Sequence, residues 1–306
     1  MHSDPGKSVV AVPPLARNDD LTLNVEANAA LIRHLEAGGV STLMYGGNAN
    51  LYHLGLSDYP RVLDMLLELA APTSWVIPSA GPDFGKLMDQ AKFLRDRPFP
   101  TAMVLPISGF STDAGSAEGI SRFADSFGRP VILYIKAEGY LSVASVGRLF
   151  DKGVVAAVKY AIVRDDPSQD AYLSELVQTV DRSRIISGIG ERPAIQHWRH
   201  FGLRAFTSGS VSIAPRLSSA LLAALKIGAY DEAARLREAF LPFENERDAI
   251  NPTRVLHDGV TLAGIADMGP ILPLLSNLTE AERHRVAPAA RQLHALDAAM
   301  AKGAAA

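Results

Sequence analysis

Lys159 lies inside the apolar run Val154-Val155-Ala156-Ala157-Val158-Lys159-Tyr160-Ala161-Ile162-Val163. An ammonium held among hydrophobic neighbours is costly to keep charged, and the usual relief is a depressed pKa. A lysine that is a free amine near neutral pH is a nucleophile toward carbonyls and can form a Schiff base. The run alone also fits a strand-end lysine that snorkels to solvent. A second apolar run, Val131-Ile132-Leu133-Tyr134, is followed by Ile135-Lys136. Its phenol could shuttle protons beside the amine. Lys136 could bind a distal carboxylate or hydroxyl, or depress Lys159 by like-charge repulsion.

Both runs are short, rich in β-branched residues and bounded by turn or charge signals: Gly128-Arg129-Pro130, Asp151-Lys152-Gly153 and Arg164-Asp165-Asp166-Pro167. Strands buried on both faces of a parallel sheet read this way. Val143, Val146, Leu149 and Phe150 have helical spacing between them, so the unit is strand–helix–strand. Further strands are expected at residues 8–12, 41–45, 75–78, 101–105, 184–187 and 203–207. Helices are expected at 21–37, 59–70, 84–95, 117–127, 142–150, 170–180, 193–201, 218–227, 230–240, 245–256 and 280–301. This alternation predicts an α/β fold, a (β/α)8 TIM barrel over residues 1–225, with C-terminal helices over 226–306 packed on it as one structural unit. A doubly wound open sheet is disfavoured by the lack of a G-x-G-x-x-G turn after the first strand.

Such barrels carry their active sites at the C-terminal ends of the strands. Side chains alternate along a strand, so Tyr134 and Lys136 share a face, with Lys159 near the end of the adjacent strand. Gly46-Gly47-Asn48 follows the second strand, and the backbone N–H groups of Gly47 and Asn48 could hold an anion. Gly188, Gly190 and Glu191 follow the seventh strand and could touch substrate hydroxyls; Glu191 could equally favour the start of the next helix. Tyr45 and Thr207 are candidate pocket walls. His197 and His200 have a metal-like spacing, but no carboxylate pattern accompanies them and a surface helix face is the expectation. Leu256-His257-Asp258-Gly259 reads as a helix end with the glycine as its cap. There is no Ser-His-Asp elbow and no P-loop.

The 306 residues carry a net charge of −3, so no basic field points to nucleic acid. The absence of cysteine excludes disulfides, thiolate zinc sites and cysteine nucleophiles. No apolar stretch reaches the roughly 20 residues needed to span a bilayer. The start, Met1-His2-Ser3-Asp4-Pro5-Gly6-Lys7, lacks a signal-peptide core, and a cytoplasmic protein with no membrane partner is expected. Asn277-Leu278-Thr279 then matches a glycosylation acceptor by chance.

Pro130-Val131-Ile132-Leu133-Tyr134 and Val158-Lys159 resemble the strand-five and strand-six motifs of the dihydrodipicolinate synthase/N-acetylneuraminate lyase family of class I, Schiff-base-forming aldolases and dehydratases. The resemblance covers nearly the whole chain. Gly46-Gly47-Asn48-Ala49-Asn50 stands where that family has G-T-T-G-E. Ser187-Gly188, the loop Ser208-Gly209-Ser210-Val211-Ser212-Ile213-Ala214-Pro215 and Asn251-Pro252 resemble its later elements. The resemblance implies that Lys159 forms the Schiff base with a 2-oxo acid, that Tyr134 relays protons and that Gly47 and Asn48 hold the carboxylate. It implies a small-molecule substrate, no metal or organic cofactor, and a homo-oligomer, dimer or tetramer. The chain departs from the synthases at three places. Their threonines become Gly47 and Asn48. Their tyrosine pair after strand four is absent from Pro106-Ile107-Ser108-Gly109-Phe110. Their arginine after the strand-five tyrosine falls near Gly139. The expected reaction is therefore aldol cleavage or dehydration of a 2-keto-3-deoxy sugar acid. Condensation of pyruvate with an aldehyde, a metal-dependent aldolase on the same fold and a non-catalytic 2-oxo-acid-binding protein are the alternatives.

Overall fold

The computed structural model describes residues 4–303, so Met1, His2 and Ser3 of the N-terminal reading lie outside the described residues. Eight strands close into a parallel barrel: β1 (Val10–Ala11), β2 (Thr42–Tyr45), β3 (Trp75–Ala80), β4 (Met103–Val104), β5 (Val131–Ile135), β6 (Val155–Tyr160), β7 (Ile185–Ser187) and β8 (Ala205–Ser208). Each pairs with its successor, and β1 returns to β8. The open-sheet alternative is thereby excluded. The connecting helices are α1 (Val25–Ala37), α2 (Tyr59–Leu69), α3 (Phe84–Arg95), α4 (Asp113–Phe127), α5 (Val143–Asp151), α6 (Ala171–Thr179), α7 (Glu191–Phe201) and α8 (Pro215–Lys226).

Of the boundaries that differ from the sequence reading, four have a clear local reason. Leu21 sits at φ 68°, so α1 cannot begin there; Asn24 starts it by accepting from the Ala27 N–H. Thr112 caps α4 in the same way and moves its start ahead of residue 117. β6 stops at Tyr160 because β5, its partner, ends at Ile135, leaving Val163 exposed. The helix expected over 245–256 is two helices, α10 (Leu241–Ala249) and α11 (Pro252–Leu262). Pro252 brings no N–H to a continuing helix, and the Asn251 side chain opens the new one on the Arg254 N–H. Gly259 accordingly lies inside α11 and caps nothing. A Cβ there would come within 2.6 Å of the Phe243 ring, so the glycine allows α11 to lie against α10.

Together with α9 (Tyr230–Glu238) and α12 (Glu280–Gly303), these helices bury a second apolar cluster. Phe240, Phe243, Val255, Leu256, Val286 and Leu293 meet Ile213, Ala214 and Leu217 from the barrel side. Asp297 of α12 is fully buried and accepts from the Arg216 and Leu217 N–H groups, with the Arg216 guanidinium at 3.1 Å. It satisfies amides that the first turn of α8 leaves without intrahelical partners and ties the last helix to the barrel. Among the described residues, no helix is long and apolar enough to cross a membrane.

Candidate active site

β5 and β6 pair in a register that sets Tyr134 directly beside Lys159. The next residue of β6, Tyr160, faces the helix layer: its ring stacks on Tyr172 of α6 and its hydroxyl donates to Asp170. Alternation then turns Lys159 and Tyr134 into the barrel, at the C-terminal ends of their strands. Lys159 is 6% exposed, and its Nζ lies 4.2 Å from the Tyr134 ring centroid. Burial pulls its pKa down to about 7, and the charge of Lys136 pulls the same way. Lys136 itself is exposed, just past the end of β5. Burial pushes the Tyr134 phenol up to about 12, so it stays protonated across the neutral range.

Gly188 follows β7 and lies against the lysine stem. A Cβ there would fall 2.6 Å from the Tyr160 carbonyl oxygen and 3.0 Å from Lys159 Cγ. The residue must be glycine for β7 to end against the base of Lys159.

After β2, the chain turns at Gly46, where a Cβ would strike Met103 Cε at 2.7 Å and Ser79 Oγ at 2.9 Å. The Asn50 N–H donates to the Gly47 carbonyl and the Leu51 N–H to that of Gly46. Among the described residues, the N–H groups of Gly47 and Asn48 have no hydrogen-bond partner. Two such adjacent amides suit a carboxylate. The Asn48 side chain is engaged elsewhere, donating through Nδ2 to the Val12 carbonyl at 2.9 Å.

The remaining candidates are placed differently. Glu191 is fully buried at the start of α7, where its Oε1 accepts from Ser218 of α8. Burial pushes its carboxyl pKa upward, against the hydrogen bonds of Ser208 and Ser218 and the weaker pull of Arg247 in α10. Its carboxyl is thus enclosed by Ser208 at the end of β8, Ser218 of α8 and Arg247 of α10. Gly190 adopts φ 91° and backs onto the same group; a Cβ would meet Glu244 Oε1 at 2.7 Å. Thr207 is buried in β8 beside Val10; its neighbour Phe206 packs on Trp198 of α7, so alternation turns Thr207 inward. Tyr45 is buried, with its pKa raised by burial and, less, by Glu36 of α1. His197 is not on a surface face: it is 1% exposed, with Nδ1 2.8 Å from Ser187 Oγ and its pKa pulled down to about 4 by burial. A helix whose periodicity leaves a histidine on the sheet side buries it regardless of charge, and His200 alone faces solvent.

Two tyrosines escaped the sequence reading. Tyr52 lies in a short 3-10 turn, Leu51–His53, with its hydroxyl 3.4 Å from the Pro106 carbonyl. Its ring lies 3.5 Å from where a Cβ of Gly47 would be. Burial raises the Tyr52 pKa, and the Tyr134 and Tyr140 phenols raise it further. Tyr140 comes from the loop after β5 and lines a cavity of about 730 Å³ with Phe84, Val104, Ile107 and Phe110. The loops after β5 and β6 are joined outside the barrel by Arg164, which bridges Glu138 and the buried Asp170. A cavity of about 1200 Å³ opens at the other end of the barrel, near Thr101, Pro130, Ile132 and Ala156, on the side from which the strands start.

No family model matches the sequence. Solved structures share the fold. Dihydrodipicolinate synthase from Oceanobacillus iheyensis superposes with a TM-score of 0.83 at 21% identity, covering 94% of this chain and 97% of that one. YagE, a prophage protein of the dihydrodipicolinic acid synthase family from E. coli K12 solved in complex with pyruvate, gives 0.82 at 20%, covering 94% and 98%. The Agrobacterium tumefaciens dihydrodipicolinate synthase gives 0.82 at 19%, covering 94% and 98%.

Proposed function

We propose that this protein is a class I lyase of the dihydrodipicolinate synthase/N-acetylneuraminate lyase family, forming a Schiff base between Lys159 and a 2-oxo acid. The observation that carries the reading is the inward lysine with its pKa near 7, set against a tyrosine from the neighbouring strand. The likeness in fold to a family protein solved with pyruvate supports it. As the free amine, Lys159 attacks C2 of the oxo acid, and loss of water leaves an iminium. The iminium draws electrons from C3. Deprotonation there gives an enamine that can expel a β-hydroxyl, and cleavage of the C3–C4 bond gives an enamine and an aldehyde. Tyr134 moves the proton in either case. The substrate carboxylate sits on the amides of Gly47 and Asn48, and Lys136 at the mouth meets a distal carboxylate or hydroxyl.

The preferred substrate class within this proposal is a 2-keto-3-deoxy sugar acid, cleaved or dehydrated. The full-length protein is incubated with pyruvate, then with longer 2-oxo acids, under borohydride, and the product is read by intact mass and peptide mapping. An adduct on Lys159 is expected. Its absence with every acid in the panel overturns the proposal.

A further inference from the structure

The two free amides of the turn after β2 belong to peptide units whose carbonyls are pinned. The Gly47 N–H shares a plane with the Gly46 carbonyl, which accepts from the Leu51 N–H at 3.2 Å. The Asn48 N–H shares one with the Gly47 carbonyl, which accepts from the Asn50 N–H at 2.9 Å. In a planar trans peptide the N–H points opposite to the C=O, so Leu51 and Asn50 set where the two amides aim. The turn is poorly suited to hold itself. Gly46 and Gly47 leave its backbone free, and Asn50 sits in the left-handed region at φ 58°. A backbone of this kind keeps one shape only where its surroundings fix it.

Two side chains from outside the turn do this. Asn50 donates through Nδ2 to the Leu272 carbonyl at 3.2 Å. Lys86 reaches across from α3, and its Nζ donates to the carbonyls of Leu51 at 3.3 Å and Tyr52 at 3.0 Å. By local rules Lys86 is badly placed. It is the third residue of α3, where a cation opposes the helix dipole. It is also partly buried, and desolvation lowers its pKa, with Asp83 at the helix cap offsetting part of that cost. A residue that breaks the rules of its own helix is answering to something outside it.

We infer that Lys86 is a positioning residue for the substrate carboxylate: it holds Leu51 and Tyr52 so that the amides of Gly47 and Asn48 aim together at one anion. The inference rests on the Schiff-base reading and adds to it a residue from the helix layer. In this role Lys86 meets no substrate atom and acts through Leu51. Its loss therefore weakens the grip on the carboxylate and leaves the reactivity of the Lys159 amine untouched. That separates it from Lys136, whose charge bears on Lys159 itself.

The test is Lys86→Met in the full chain, which keeps an unbranched stem and removes the ammonium. Borohydride trapping on Lys159 is followed against the concentration of pyruvate, or of whichever 2-oxo acid in the panel the parent traps best. Half-saturating concentration and plateau rate are both read, with peptide mapping to fix the site. The expected result is a half-saturating concentration raised at least about tenfold and a plateau rate within about twofold of the parent. The melting midpoint should stay within about 4 °C of the parent's. A half-saturating concentration within about twofold of the parent overturns the inference and leaves the Schiff-base reading standing. So does a plateau that falls as far as the affinity, or a variant that does not fold, either of which marks a general structural role. If the parent itself forms no adduct with any 2-oxo acid, the Schiff-base reading falls first, and the inference falls with it.

Discussion

Replacing Lys159 with methionine should abolish adduct formation and, at neutral pH, make the protein more stable. Methionine keeps an unbranched stem of similar reach without an ammonium. In the folded protein, burial and the charge of Lys136 bring the Lys159 pKa from 10.5 to about 7. The unfolded chain therefore binds a proton that the folded chain has partly released. Proton binding favours the unfolded state across this window, so parental stability rises with pH from about 7 to 10.5. At pH 7, that difference amounts to about 4 kcal/mol against folding, and near pH 10 to under about 1 kcal/mol. At 6% exposure, little of it is screened by solvent. The methionine variant lacks the whole contribution. The assay is urea unfolding of both proteins at pH 7 and pH 10, compared by midpoint at equal m. The expected result is an advantage for the variant at pH 7 that shrinks by about 3 kcal/mol at pH 10. A variant that is less stable at pH 7, or an advantage that does not change with pH, would mean that Lys159 keeps its charge in contact with solvent. The argument for a nucleophilic amine would then fail.

Lys136→Gln should raise the pH midpoint for trapping on Lys159 and slow trapping at pH 7 by a few-fold at most; because Lys136 is exposed, the effect should fade from about 0.01 M to 1 M salt, and a salt-independent effect would refute it. Gly188→Ala should cost about 1–3 kcal/mol in unfolding experiments and slow trapping at least about tenfold, because the new Cβ must displace either the Tyr160 carbonyl or the Lys159 stem. Normal trapping in that variant would show that β7 does not set the lysine. Glu244 and Glu191 are both fully buried, with Arg247 between them, and burial pushes the Glu244 pKa up to about 7. A raised carboxyl pKa gives stability present at low pH and lost as pH rises through the folded value, so Glu244→Gln should gain stability relative to the parent between pH 5 and pH 8, read by thermal melts.

The placement of Lys159 was legible because a strand leaves a side chain only two directions. Once the runs around Tyr134 and Lys159 are recognised as strands, alternation and parallel pairing put both residues on the same inner face. The loops carry no such rule. Glu191 has the spacing of a residue at the mouth, yet it is fully buried and its carboxyl is set by Ser208, Ser218 and Arg247, which lie far along the chain in β8, α8 and α10. His197 has the spacing of a surface pair but is set by Ser187 on the strand beneath it. Tyr52 carries no local motif at all; its place follows from Lys86 on the turn carbonyls and from the small space left by Gly47. Gly188 lies between these cases. Its need for a bare backbone comes from a neighbouring strand, but its position right after β7 is a barrel rule. The chemistry of a Schiff base can thus be read from two strands, whereas substrate choice is assigned to loops whose side chains are aimed by distant helices. That division makes the trapping experiment a test of β5 and β6 alone.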